Sequence, residues 1–110
     1  LAAEGAEWVQ IDEPALVLDL TDDLRAAFRT AYAELAKVAG VKIMIATYFG
    51  GLEDNLDLAV SLPVAGLHVD LVRDAEQLDA VVAAAPAGLT LSLGVIDGRN
   101  IWKTDLAAVI

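Results

Sequence analysis

The run Leu67-His68-Val69-Asp70-Leu71 places three aliphatic side chains on one side of an extended backbone and a histidine and an aspartate on the other, because successive side chains of a β-strand point to opposite faces. The same alternation marks three further segments. Trp8–Asp12 sets Val9 and Ile11 against Gln10 and Asp12, and Lys42–Tyr48 sets Ile43 and Ile45 against Met44 and Ala46. Leu89–Ile96 sets Leu91 and Leu93 against Thr90 and Ser92. Four strands with one aliphatic face and one polar face are expected.

Helical patterns fill the intervals. Thr21 is a suitable N-cap, Asp22 and Asp23 suit the positive end of a helix dipole, and Gly40 suits a helix end, so a helix is expected from Thr21 to Ala39. Leu24, Phe28, Tyr32, Leu35 and Val38 recur at three- and four-residue steps along it and predict one buried face. Further helices are expected over Leu52–Leu62, ended by Pro63, and Ala75–Ala85, ended by Pro86. The last three strands begin roughly 24 residues apart, the spacing of repeated βα units with parallel strands and right-handed crossovers. A doubly wound sheet buries aliphatic residues on both faces, and the polar set here departs from that. The fold class expected is α/β, a parallel (βα)4 half of a TIM-type (βα)8 barrel, with residues 1–110 as a single unit.

Composition narrows the function. The 110 residues are 57% hydrophobic, and 17 acidic against 7 basic side chains leave a net charge of −10. That balance opposes binding to a phosphate backbone or an anionic membrane surface. No apolar run reaches the roughly 18–20 residues of a membrane span, and no basic stretch precedes an apolar one as in a signal peptide, so a cytoplasmic location is expected. Cysteine is absent and His68 is the single histidine, so disulfides, thiolate catalysis and sulfur-containing zinc sites are not expected within this stretch. The chain opens at Leu1, with an Ala-rich stretch stopped by Gly5, and closes on Thr104–Ile110, which reads as a helix just begun. An excised fragment is the expectation.

In barrels of this type the working face lies at the carboxyl ends of the strands. The residues there are Asp12-Glu13, Tyr48 to Gly51, Asp70 with Arg73, and Asp97-Gly98-Arg99-Asn100. Asp12, Tyr48, Asp70, Asp97, Arg99 and Trp102 are the rim candidates for ligand contact. An acidic rim suits cationic or hydroxyl-bearing groups or a general base; the competing reading is that an Asp after a strand caps the next turn or helix. His68 is either a base beside Asp70, two residues along the same strand face, or a hydrogen-bonded residue of the interior. Trp8, at a strand start, is expected to pack, while Trp102 is placed to stack a flat ligand. Glu53, Asp54 and Asp57 read as a solvated helix start. No calcium loop or phosphate loop is present, and no complete catalytic set emerges.

Four segments carry a resemblance. Gln10-Ile-Asp-Glu-Pro14, Ala46-Thr-Tyr-Phe-Gly-Gly51, Gly66-Leu-His-Val-Asp-Leu-Val-Arg73 and Leu91-Ser-Leu-Gly-Val-Ile-Asp-Gly-Arg-Asn-Ile-Trp-Lys-Thr-Asp-Leu106 closely resemble cobalamin-independent methionine synthase, the 5-methyltetrahydropteroyltriglutamate–homocysteine methyltransferase family. The likeness runs in order along essentially the whole chain. It implies a long parent with two (βα)8 barrels, of which this is the second half, strands five to eight, of the N-terminal one. It also implies methyl transfer from methyltetrahydrofolate polyglutamate to homocysteine, with zinc holding the substrate thiolate in the C-terminal barrel on a His, a Glu and two Cys, outside this segment. The resemblance further implies that the two barrels descend from a duplication, by which Asp12 is the counterpart of an aspartate in a similar Gln-Ile-Asp-Glu-Pro run that contacts homocysteine in the other barrel, a role expected to be lost here. His68 does not inherit the family's proton-donating histidine. No catalytic or metal-binding residue is expected in this segment, which reads as scaffold, inactive alone, whose partner is the catalytic barrel of its own chain.

Two other readings follow from the residues. A stand-alone half-barrel would expose two strand edges, Trp8–Asp12 and Leu89–Ile96, and close into a full barrel as a homodimer. An acidic receiver-like domain would place Asp12-Glu13 after its first strand, but Gln10, His68, Thr90 and Ser92 oppose the two aliphatic faces it needs.

Overall fold

The computed structural model describes residues 1–109. Four parallel strands, β1 (Trp8–Asp12), β2 (Lys42–Ala46), β3 (Gly66–Asp70) and β4 (Thr90–Gly94), lie side by side in the order β1-β2-β3-β4. Helices α1 (Asp22–Leu35), α2 (Leu56–Ser61) and α3 (Gln77–Ala84) fill the three crossovers, and α4 (Leu106–Val109) follows β4. Each strand pairs with the next one in sequence, so right-handed crossovers bring all three connecting helices to the same face.

That face holds the core. Ile43, Ile45, Leu67 and Val69 from the strands join Leu16, Tyr32, Leu52, Leu58, Leu62 and Val81 from the layer above. Ile45, Leu67 and Val69 are fully buried, each contributing on the order of 1.5–3 kcal/mol. The opposite face carries the alternate positions in rows: Gln10, Met44, Gly66 and Thr90, then Asp12, Ala46, His68 and Ser92. Gly66 is the tightly packed position of its row. A Cβ there would lie 2.7 Å from Met44 Cε and 3.2 Å from Trp8 Cζ3, because these two side chains close over it.

The strand over 8–12 has the expected bounds, the strand expected over Leu67–Leu71 lies one residue earlier at Gly66–Asp70, and other elements are shorter. β2 closes at Ala46, whose pairing with His68 is completed by the Thr47 N–H on the His68 carbonyl at 3.1 Å, and the Thr47 hydroxyl donates to the same carbonyl at 2.8 Å. β4 stops at Gly94, where the Val95 N–H folds back onto Leu93 O at 3.1 Å. α1 is capped by Thr21 Oγ1, which accepts from Leu24 N, and Asp22 and Asp23 occupy its first turn. It ends before Gly40 because Lys37 and Val38 donate three residues back, to Glu34 and Leu35, tightening the last turn. Val38 therefore leaves the helical phase and is 58% exposed; Leu24, in the first turn, is 49% exposed. The buried stripe narrows to Phe28, Tyr32 and Leu35. The helix expected from Leu52 begins as a 3-10 turn, Glu53–Asn55, before α2. Among the described residues no helix is long and apolar enough to cross a membrane.

Candidate functional site

The loops leaving the carboxyl ends of β2, β3 and β4 meet in a cleft of about 510 Å³. Each loop is fixed by polar side chains, from β3 in two cases and from the loop itself after β4. Beyond β2, Phe49 adopts φ +80°, a left-handed conformation costing roughly 1–2 kcal/mol for a residue with a Cβ. Its N–H donates to Asp70 Oδ2 at 3.0 Å, and its ring meets Tyr48 edge-to-face at 4.7 Å. Beyond β3, the N–H groups of Val72 and Arg73 both donate to Asp70 Oδ1 at 3.0 Å. Beyond β4, Asp97 accepts from the Arg99 N–H and from Asn100 Nδ2, each at 3.0 Å, and Asn100 Oδ1 accepts from the Trp102 N–H at 2.8 Å. The Arg99 guanidinium sits 5.4 Å above the Phe49 ring. The cleft is thus walled by Tyr48, Phe49, His68, Asp70, Arg73 and Arg99, with Val72, Leu93 and Ile96 as its aliphatic side.

The remaining candidates spread over the open face. Asp12 Oδ1 accepts from Gln10 Nε2 at 2.7 Å. Desolvation and the Asp12 carboxylate push the Tyr48 phenol above its ordinary range. His68 Nδ1 lies 2.9 Å from Ser92 Oγ across the row, so its partner is Ser92, while the Asp70 carboxylate is turned to its loop. The His68 ring covers Gly94, where a Cβ would lie 2.9 Å from both His68 Nε2 and Val69 O. Trp102 is 78% exposed and lies outside the cleft. Trp8 stands at the amino end of the sheet, over Gly66, with Lys42 Nζ 5.3 Å above its ring.

Three polar anchors escape a reading of the sequence alone. Asn55, 5% exposed, donates through Nδ2 to Leu16 O and Leu18 O at 2.9 and 2.8 Å, and its Oδ1 accepts from Arg25 Nη1 at 2.7 Å. Gln77 accepts from the Leu52 N–H and donates to Asp70 O and Asp74 O at 3.2, 3.0 and 3.2 Å. Tyr32 Oη donates to Glu13 Oε1 at 2.7 Å, and burial together with that carboxylate drives the phenol strongly upward. An Asn before a helix and a Gln inside one are ordinary on local grounds; only their distant partners distinguish them. On the helix side, Arg25 pairs with Asp57 at 2.7 Å and holds its carboxyl below the usual range.

Sulfur-rich metal chemistry does not fit these residues. Cysteine is absent from the sequence, and among the described residues no three His, Asp or Glu side chains converge as metal ligands would.

The family model described as "Cobalamin-independent synthase, N-terminal domain" matches residues 1–110. The chain belongs to this family. It is 64% identical to a Nitrobacter winogradskyi protein and 62% identical to one from Chelativorans sp., each over the whole chain, and 59% identical to one from Caulobacter vibrioides. All three are named 5-methyltetrahydropteroyltriglutamate–homocysteine methyltransferase, and the chain spans 14% of the length of each. Within this part of a cobalamin-independent synthase N-terminal domain, the stretches 10–14, 46–51, 66–73 and 91–106 each straddle the carboxyl end of a strand. Three of them, all but 10–14, supply the walls of the cleft.

Proposed function

We propose that this chain is a segment of a cobalamin-independent methionine synthase, an enzyme that moves a methyl group from 5-methyltetrahydrofolate polyglutamate to the thiol of homocysteine and releases methionine. The family match over residues 1–110 carries the reading, and relatives 59–64% identical that bear the methyltransferase name support it. Within the enzyme these residues form the second half of the N-terminal (βα)8 barrel. Sequential parallel strand order with one aliphatic and one polar face is what such a half requires. Their work is scaffolding: they close the barrel and turn the rim bearing Asp12, Tyr48, Asp70, Asp97, Arg99 and Trp102 toward the catalytic barrel. Zinc and the thiol chemistry belong to that other barrel, in keeping with the lack of cysteine here, and the enzyme works in the cytoplasm.

The experiment is to assay methyl transfer by the natural-length polypeptide that contains these residues, and by residues 1–110 alone. Activity is expected only in the former. Absence of homocysteine methylation by zinc-loaded, full-length protein would sink the assignment, and turnover by the short chain would sink the scaffold role. A second reading rests on the unpaired edges of β1 and β4: as a free module, two copies would pair edge to edge and complete a barrel. Light scattering of residues 1–110 as a folded monomer would remove it.

A further inference from the structure

We infer that the cleft between the β2, β3 and β4 loops takes a small anion, a carboxylate borne on a flat or apolar group, at Arg73 and Arg99. The inference stands on the cleft alone, whichever reaction the parent enzyme performs. The sequence carries a net charge of −10, whereas this cleft sets two of the seven basic residues, Arg73 and Arg99, against Asp70 and Asp97 and is formally neutral, so an anion meets less opposing charge there than the chain as a whole presents. The ion pairs among the described residues employ Arg25 and Lys37, which leaves the guanidinium groups of Arg73 and Arg99 without a carboxylate partner there.

The cleft's own carboxylates are already engaged by N–H donors. Asp70 accepts from the backbone N–H groups of Phe49, Val72 and Arg73, and Asp97 accepts from the Arg99 N–H and Asn100 Nδ2. A cation entering the cleft would compete with five N–H donors for these oxygens. An anion meets arginine N–H groups not already committed to a carboxylate.

The second half of the ligand follows from what surrounds that charge. Phe49 is 61% exposed with the Arg99 guanidinium 5.4 Å over its ring. Cation–π attraction to the ring uses no N–H donor, so the Arg99 guanidinium keeps its donors for a carboxylate. Asp70 holds the Phe49 backbone in its left-handed conformation, so the ring beneath the guanidinium is placed by the same loop network. Leu93 and Ile96 supply exposed aliphatic surface beside it. A cleft of about 510 Å³ admits a ring or a short chain together with its carboxylate.

The test uses 4-fluorobenzoate and its neutral counterpart 4-fluorobenzamide, titrated into the full-length polypeptide and followed by fluorine NMR of the probe. Saturable binding of the benzoate is expected, weakened on the order of tenfold in Arg73→Gln and in Arg99→Gln by loss of a charge-assisted contact. The amide should bind more weakly by a similar factor, a comparison that needs no variant. No saturable binding at millimolar probe, equal binding of the amide, or unchanged affinity in both variants would overturn the inference.

Discussion

Replacing Asn55 with alanine removes three hydrogen bonds from one buried point. Its Nδ2 holds Leu16 O and Leu18 O, and its Oδ1 holds Arg25 Nη1, at 2.9, 2.8 and 2.7 Å. Two neutral bonds contribute about 0.5–1.5 kcal/mol each and a bond to a charged donor about 1.5–3 kcal/mol. Arg25 keeps its contacts to Asp54 O and Asp57, so part of the last term survives. The Leu16 carbonyl does not fare as well, because its residue is fully buried and little water can replace the lost donor. The net expectation is about 3 kcal/mol of local destabilisation, on the order of 100-fold in the opening equilibrium of the loop after β1. Hydrogen–deuterium exchange on the full-length polypeptide reads this at the amides of Leu16 and Leu18, which donate to Glu13 O and Ala15 O. Asn55→Asp sharpens the assay, since it keeps the acceptor for Arg25 but turns a carboxylate oxygen on two carbonyls. Exchange should accelerate in both variants. A change below about 1 kcal/mol in Asn55→Ala would mean that the loop is held by its apolar contacts and that the Asn55 bonds are incidental.

Other expectations are equally concrete. Gly94→Ala should cost about 1–3 kcal/mol and break the His68–Ser92 bond, because the new methyl group meets both Val69 O and the His68 ring; unchanged His68 imidazole resonances would contradict it. Tyr32 and Tyr48 both have phenols raised above the ordinary 10.0. Their stabilising contribution is fully present below about pH 10 and is lost as pH rises through the higher folded-state values. Ultraviolet titration should find neither phenol ionising at its ordinary pKa while the fold persists. Tyr32→Phe strips the Glu13 carboxylate of its donor and should cost about 1–3 kcal/mol, read as a lower urea midpoint. Arg25 depresses the Asp57 pKa below 3.8, so that pair helps above this value and fades as pH falls through the folded-state one. With Asp57 68% exposed, Asp57→Asn should cost no more than about 1 kcal/mol at neutral pH, and raised salt should shrink the difference.

What the sequence reveals follows from the range of each signal. Strand alternation is local, so Ile43, Ile45, Leu67 and Val69 are recognisable as one face and Gln10, His68 and Ser92 as the other before any fold is known. Strand and helix ends are not local in the same sense. The last pair of β2 joins Ala46 to His68 of the neighbouring strand, a partner 22 residues away. Pro63 and Pro86 mark where helices have already stopped; α2 and α3 close at Ser61 and Ala84. At the rim, Asp70 and Asp97 are recognisable as acidic residues following strands, but the N–H groups that engage them come from loop geometry. Asn55 and Gln77 lie beyond reach because their partners are carbonyls and an N–H on other loops, and a backbone atom leaves no mark in composition.

Asn55 and Gln77 grip main-chain atoms of residues 16, 18, 52, 70 and 74. Every amino acid carries a main-chain carbonyl, and every one but proline the N–H. The Asn55 and Gln77 contacts are therefore indifferent to side-chain identity at these five positions, and among the five only proline at position 52 would remove a donor they use. Asp70 and Asp97 are the opposite case: their carboxylates hold loop N–H groups, so at those two positions the shape of the rim and its chemistry change together.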